Sequence, residues 1–343
     1  MGPVPFRPNM TDVPEQVEIP PPAPAPAVAV APAPHLAAPV ATRGMMIDVI
    51  VALAPVMLAA VLVFGWYAPM QVGICVGTCV VVELALTACR GRRVTVTDGS
   101  AVVTGCILAF SLPPTGTWYV GVIGSAVAIA IGKWVFGGLG QNLFNPAMVG
   151  RAFVMLAFAA AVGAGGYVAR PEAAWVQVVT QATPMAAAKA GQAVTPLWKL
   201  LLGNTNGSLG ETSAVACLLG GAWLLLRRTI SWHVPAGVLG TAAAIAALMQ
   251  ALGRPALGVP RQLCGGALLF GALFIATDLV TSPLTAKGKL IFGVCVGALV
   301  MLIRTMSNYP EGVMFAVLVM NAFVPLINRW TIPVPLGGAV KKK

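Results

Sequence analysis

About ten runs of apolar residues, most of them roughly 15 to 20 residues long, follow one another between residues 46 and 327. An α-helix needs ~20 such residues to cross a bilayer. In lipid the backbone must satisfy its own hydrogen bonds, so runs of this length fold as helices. Only 9% of the residues are charged, 58% are hydrophobic and the mean hydropathy is +0.87, whereas a soluble domain carries ~25% charged residues. The chain therefore reads as an all-α polytopic membrane protein. Its net charge of +11 does not point to nucleic acid, because the basic residues sit in short clusters between the apolar runs, where topology is encoded.

Residues 1–44 are rich in proline, including Pro20-Pro21-Pro22 and Pro24-Ala25-Pro26. They lack a basic start followed by an apolar core, so they read as a stiff, disordered cytoplasmic tail and not as a signal peptide. Apolar runs at 46–66, 70–89, 101–112, 120–136 and a fifth ending near 162 precede a long polar interval. Runs at 213–226, 234–252, 265–280, 290–303 and 313–327 follow it. The run 101–112 is too short to span and stops at Pro113-Pro114. The stretch from Gly137 to Pro146 sets glycines and asparagines at membrane depth. Irregular backbone is tolerated there only against protein or a cavity, so this stretch is read as lining a site.

With the N-terminus cytoplasmic, Arg90, Arg92, Arg93, Lys133, Arg227, Arg228, Lys287, Lys289 and the terminal Lys341 to Lys343 all fall inside. Arg254, Arg261 and Arg304 fall outside. The positive-inside rule thus favours about ten transmembrane helices with both termini cytoplasmic and the polar interval extracytoplasmic. Ser111-Leu112-Pro113-Pro114 is echoed by Thr281-Ser282-Pro283, and the stretch 137–146 by 306–312. Five plus five spans of opposite orientation make two inverted five-helix repeats with short or broken helices and a site at their interface. The layout is a tail (1–44), a membrane domain (45–330) and a basic cytoplasmic tail (331–343). The domain divides into a first repeat (46–162), an extracytoplasmic loop (163–210) and a second repeat (211–330).

Within the loop, Thr183 precedes Pro184 and an alanine-rich run that closes at Gly191. That order predicts a short helix with Thr183 at the N-cap, Pro184 at the first helical position and Gly191 just past the end. Thr183 either caps its own helix or stands where a phosphate is held by free N–H groups, or even attached. Three carboxylates lie in or at apolar runs: Glu83, Glu211 and Asp278. Each is an ion-path candidate, or alternatively a helix-end cap or interhelical hydrogen-bond partner. The seven cysteines form no C-x-x-C pair and the two histidines stand alone, so no metal site is assigned to this chain.

Four stretches resemble the membrane flavoprotein family that contains the D component of the Rnf complex and the B component of the sodium-translocating NADH:quinone oxidoreductase. They are Pro34-His35 leading into Met46-Ile47-Asp48, Phe136 to Ala147, Leu202 to Ser213, and Tyr309-Pro310-Glu311-Gly312. Chain length and the C-terminal end favour the Rnf type. The resemblance implies a flavoprotein in a bacterial inner membrane, with its loop periplasmic, that relays electrons coupled to Na⁺ or H⁺ transport. In that family a threonine in a Ser/Thr-Gly-Ala-Thr pattern carries FMN through a phosphoester. Here Thr180-Gln181-Ala182-Thr183 makes Thr183 the phosphoryl threonine, with Gln181 in place of glycine and Lys189 as a phosphate or ring neighbour. A second, non-covalent riboflavin is implied near Gly138, Asn142 and Asn145.

Asp278 and Glu211 match acidic positions of the sodium-pumping relatives, while Leu279 and Asn328 depart from the proline and aspartate common there. Other Rnf subunits are the implied partners: integral membrane subunits, a second flavin-bearing subunit, and iron–sulfur and NAD-handling subunits. A flavin transferase is implied for maturation. This chain supplies no catalytic residue by itself. The alternatives are the corresponding component of the sodium-translocating NADH:quinone oxidoreductase and, from a different class, a channel or secondary transporter, which also uses inverted repeats.

Overall fold

Two long helices open the folded body, α1 (Thr42–Phe64) and α2 (Tyr67–Cys89), joined by a turn at Gly65, whose φ of 63° suits glycine. The computed structural model describes residues 41–91, 96–114, 116–162, 185, 187, 195–203, 205–211, 213–253, 258–307 and 312–333. Residues 1–40 and 334–343 of the two tails, Thr180, Ala182, Thr183, Lys189 and residues 308–311 of the echo lie outside the described residues, whereas 42–44 already belong to α1 and Thr331 to the last helix.

After α2 comes the short α3 (Ser100–Ser111), then α4 (Trp118–Val127), which runs directly into a π-helical segment, Ala128–Trp134. The winding is visible in the hydrogen bonds: Val135 N–H reaches Ala130 O and Gly138 N–H reaches Lys133 O, each across five residues, at 3.1 Å. Helix α5 (Pro146–Ala157) starts where Asn145 Oδ1 accepts from Met148 N (3.3 Å) and Pro146 fills the first helical position.

The second half repeats this vocabulary. Ser213 caps α6 (Ala214–Leu226), and α7 (His233–Ala251) follows. The next element is broken into α8 (Val259–Cys264), α9 (Leu268–Phe270) and a second π segment, Gly271–Ile275, with Ala276 N–H to Gly271 O at 2.7 Å. Thr285 caps α10 (Ala286–Met306), and α11 (Val313–Thr331) completes the set.

Among the described residues, α1, α2, α7, α10 and α11 are long and apolar enough to cross a membrane, and no strand occurs. Helices α3, α5, α6 and the α4–π unit are shorter and apolar.

Glycines let these helices touch backbone to backbone, which is how apolar helices associate where lipid is as apolar as they are. A Cβ on Gly237 of α7 would lie 3.0 Å from Gly293 Cα of α10, and one on Gly105 of α3 would lie 2.6 Å from Val76 Cα of α2. A Cβ on Gly150 of α5 would lie 2.3 Å from the Gly124 carbonyl oxygen of α4. Gly150→Ala is therefore expected to cost about 1–3 kcal/mol, read as a lowered Tm of the purified protein in detergent. Across the halves α1 packs on α6 and α5 on α11. Asp48 ties the first of these pairs together, accepting from Arg227 Nε (3.1 Å) and Thr229 Oγ1 (3.0 Å).

Candidate functional site

The stretch from Gly137 to Asn145 leaves the π end of α4 and returns to α5 through glycines at φ 117° (Gly137), 109° (Gly138) and 91° (Gly140). Only glycine adopts these values without strain. A side chain at Gly138 or Gly140 would meet nothing within 4 Å, so the loop is bounded by open space.

Beside it lies a cleft lined by Met46, Ser100, Lys133, Asn142, Asn145 and Asp278, among others. Residues of both halves meet here. Asn145, besides capping α5, directs Nδ2 toward Ile275 O at the end of the second π segment (3.5 Å). With its amide oriented to satisfy its neighbours, Asn321 of α11 accepts from Asn145 N (3.0 Å) and donates to Thr281 O (3.3 Å). Asn142 is buried and donates to Phe144 O (3.3 Å), while its Oδ1 has no donor. A buried acceptor left open at a cleft calls for a donor from whatever enters.

Asp278 follows the second π segment and is held in its turn by Thr281 Oγ1 (2.9 Å) and Val280 N (3.3 Å). It lines this cleft and an adjoining hollow that reaches Phe274 and Thr229.

Lys133 is not a surface topology charge. It is 2% exposed, and its ammonium donates to both Glu83 oxygens (2.8 and 2.7 Å) and to Ser100 Oγ (2.6 Å). Ser100 in turn donates to Asp98 Oδ1 (2.5 Å). Glu83, itself fully buried, thus belongs to a chain of polar groups that reaches the cleft through Lys133 and Ser100. The sequence signal was a lysine inside one apolar run and a glutamate inside another, which lipid forces to pair.

Glu211 lies elsewhere. It ends a 3₁₀ turn (Leu209–Glu211), accepts from Ser208 Oγ and sits beside the end of α3, where Leu209 N meets Leu112 O at 3.2 Å. The three carboxylates therefore do not converge: Asp278 and the Glu83 chain flank one cleft, and Glu211 ends a turn that meets α3 through Leu209 N and α6 through Gly210 O.

Arg304 is also buried rather than an outside charge. It donates to Gln262 O and Gly265 O, both at 2.8 Å, and so fixes the end of α8. A Cβ on Gly265 would lie 2.9 Å from the sulfur of Met185, which is buried. Met185, two residues after Thr183 in the sequence, thus packs on a turn that Arg304 holds.

Residues 29–337 match the NQR2, RnfD, RnfE family. The chain belongs to that family. The D component of the Na⁺-translocating ferredoxin:NAD⁺ oxidoreductase complex of Acetobacterium woodii is 40% identical over 302 residues, covering 87% of this chain and 92% of its own. The D component of the proton-translocating ferredoxin:NAD⁺ oxidoreductase complex of Clostridium ljungdahlii is 39% identical over 320 residues, covering 89% and 94%. The D component of the ion-translocating oxidoreductase complex of Halorhodospira halophila is 40% identical over 334 residues, covering 88% and 93%. Two relatives of nearly equal identity name different ions, so likeness within the NQR2, RnfD, RnfE family does not select the ion.

Proposed function

We propose that this chain is the flavin-carrying membrane subunit of an Rnf-type, ion-translocating ferredoxin:NAD⁺ oxidoreductase, and that it relays electrons through FMN esterified to Thr183. The observation that carries the reading is the 40% identity with the Acetobacterium woodii D component over 87% of this chain, together with a threonine at the start of a short predicted helix. The flavin supplies the redox chemistry, and the protein's contribution is to hold, orient and tune it.

Thr183 provides the phosphate ester, with Thr180, Ala182 and Lys189 around it. Met185 against Gly265, and Arg304 behind that turn, support a seated attachment segment. The cleft between the halves suits a second, non-covalent flavin of the riboflavin type. Asn142 Oδ1 offers an acceptor to a ring imide, the open space beside Gly138 and Gly140 leaves room for a flat ring system, and Asn145 and Lys133 complete a polar wall.

Ten spans in two inverted repeats are supported by the pairing of α1 with α6 and of α5 with α11, by the broken third element of the second half and by the short α3 in the first. Both termini then face the cytoplasm and Thr183 the periplasm, in a bacterial inner membrane. Asp278, Glu211 and Glu83 are the ion-path candidates. Partner subunits handle ferredoxin and NAD⁺, and a flavin transferase attaches the FMN.

The deciding experiment is the intact mass of the protein, purified from cells that also express its transferase and partner subunits. An added FMN on the peptide containing Thr183 is expected. An unmodified mass from an active complex would transfer the assignment to a solute pathway.

A further inference from the structure

Helices α7 and α10 run parallel and touch backbone to backbone. A Cβ on Gly293 would lie 2.6 Å from Val234 O, and one on Gly297 would lie 2.6 Å from Val238 O. Their first turns therefore sit at the same end of the molecule, and the positive ends of their dipoles add there. The start of α7 carries no side-chain cap. At the start of α10, Gly288 N donates to Thr285 Oγ1 (3.0 Å) and Lys289 N to Thr285 O (2.8 Å). The N–H groups of Ala286 and Lys287 are left without an intrahelical acceptor.

A cleft of ≈ 90 Å³ opens at these two starts, lined by Val234 and Lys289 from the two first turns and by Ser231, Leu279, Ser282 and Leu284 among others. Its charge has one sign. Lys289 is half-buried and has no ion-pair partner among the described residues. Exposed Lys287 lies two residues before it, and exposed Arg228 two residues before Ile230, which also lines the cleft. Asp278 turns to the adjoining hollow instead, with both carboxyl oxygens held in its own turn. Ser282 is 7% exposed, and its hydroxyl makes no hydrogen bond among the described residues. Asn328 of α11 fixes the rim with a neutral group, its Oδ1 accepting from Leu284 N at 3.0 Å.

The mouth, by contrast, is apolar. Leu284 is 72% exposed and Leu279 is exposed beside it. Trp232 at the start of α7 and Trp330 near the end of α11 are both exposed. The α11 end lies on this side, because Thr331 Oγ1 stands 2.9 Å from where a Gly288 Cβ would be. Indole rings at helix ends mark the headgroup level of a bilayer.

We infer that this cleft binds the phosphate of an anionic phospholipid. Lys289 is its counter-charge, Ser282 donates a hydroxyl hydrogen bond, and the two helix starts form the dipolar wall. The first acyl carbons lie over Leu279 and Leu284. A free phosphate shares the headgroup chemistry but makes no use of that apolar mouth. The site shares no lining residue with the flavin cleft. Only its assignment to the cytoplasmic leaflet rests on the topology proposed above. A lipid held here braces the outer side of the 277–284 turn, whose inner side carries Asp278.

The test uses the assembled complex in phosphatidylcholine vesicles containing phosphatidylglycerol with a photoactivatable group near its headgroup. Cross-links are expected on peptides spanning residues 277–289. Lys289→Gln is expected to lower the apparent affinity about fivefold, the effect of one lysine at a membrane surface. Asn328→Asp keeps the acceptor for Leu284 N but adds a negative charge at the rim, so it should weaken labelling as well. It also guards against a disturbed helix start in the first variant. Labelling unchanged in both variants, or equal labelling by the phosphatidylcholine analogue, would overturn the site. Displacement of the label by an equal concentration of inorganic phosphate would overturn the lipid as its source. A chain without FMN that still labels here would remove the redox reading and leave the lipid site standing.

Discussion

Thr183→Val, expressed with the transferase and partner subunits, is expected to yield an assembled complex in which this chain shows no flavin fluorescence in a denaturing gel. Its mass should lack the FMN, and its ferredoxin:NAD⁺ electron transfer should be lost. Valine matches threonine in volume and branching but has no oxygen to esterify. It also removes the N-cap that the sequence predicts there, which would cost about 0.5–2 kcal/mol, too little to unfold a helical body held by glycine-tight contacts. Thr183→Ser separates the two effects: it restores a hydroxyl and a cap, so partial flavin attachment should return. Electron transfer at wild-type rate in a flavin-free Thr183→Val complex would refute the relay.

Lys133→Met is expected to have the largest effect on stability. The ammonium lies at 2.8 and 2.7 Å from the Glu83 oxygens, and both side chains are almost wholly shielded. Removing one partner breaks a buried ion pair, a change that costs about 3–5 kcal/mol, a large share of a typical folding stability of about 5–15 kcal/mol. Glu83→Leu alone should be comparably harmful, because it strands the ammonium against Ser100. The double variant Lys133→Met/Glu83→Leu should recover most of the loss, since an apolar pair of similar size is often neutral. The readout is Tm in detergent over the four-protein cycle. Additive losses would mean that the two side chains do not act as a pair.

How much of this was legible in the sequence follows from what each signal encodes. Apolar run length gave α1, α2, α7, α10 and α11 nearly to their ends, and Pro113 and Pro146 marked where α3 stops and α5 begins. Asn142, Asn145 and Asp278 stand out in the sequence because asparagine and carboxylate are expensive at membrane depth, and the fold brings these three to one cleft. Lys133 and Arg304 look like topology charges in the sequence and are not. A lysine or arginine near the end of an apolar run looks the same whether it snorkels to water or turns inward, and only the partner decides. Glu83, Gln262 and Gly265 are those partners, separated from them by 39 to 50 residues or so in the chain. The π segments left no trace in the sequence pattern, because a hydrophobic run reports that a helix forms and not how tightly it winds.

The wide turn at Ala128–Trp134 sets the phase of everything after it. A π turn accommodates one residue more than an α turn over the same rise, so this stretch carries a surplus residue. Each residue of an α-helix advances side chains by ~100°. Deleting one residue here would keep an apolar helix of sufficient length, yet rotate Lys133 off Glu83 and turn Gly132 away from Pro146, whose Cα lies 2.8 Å from where a Gly132 Cβ would stand. Elsewhere in a membrane span length is a loose quantity that tilt can absorb. Along these seven residues it behaves as an address, because the count decides which side chain arrives at the cleft.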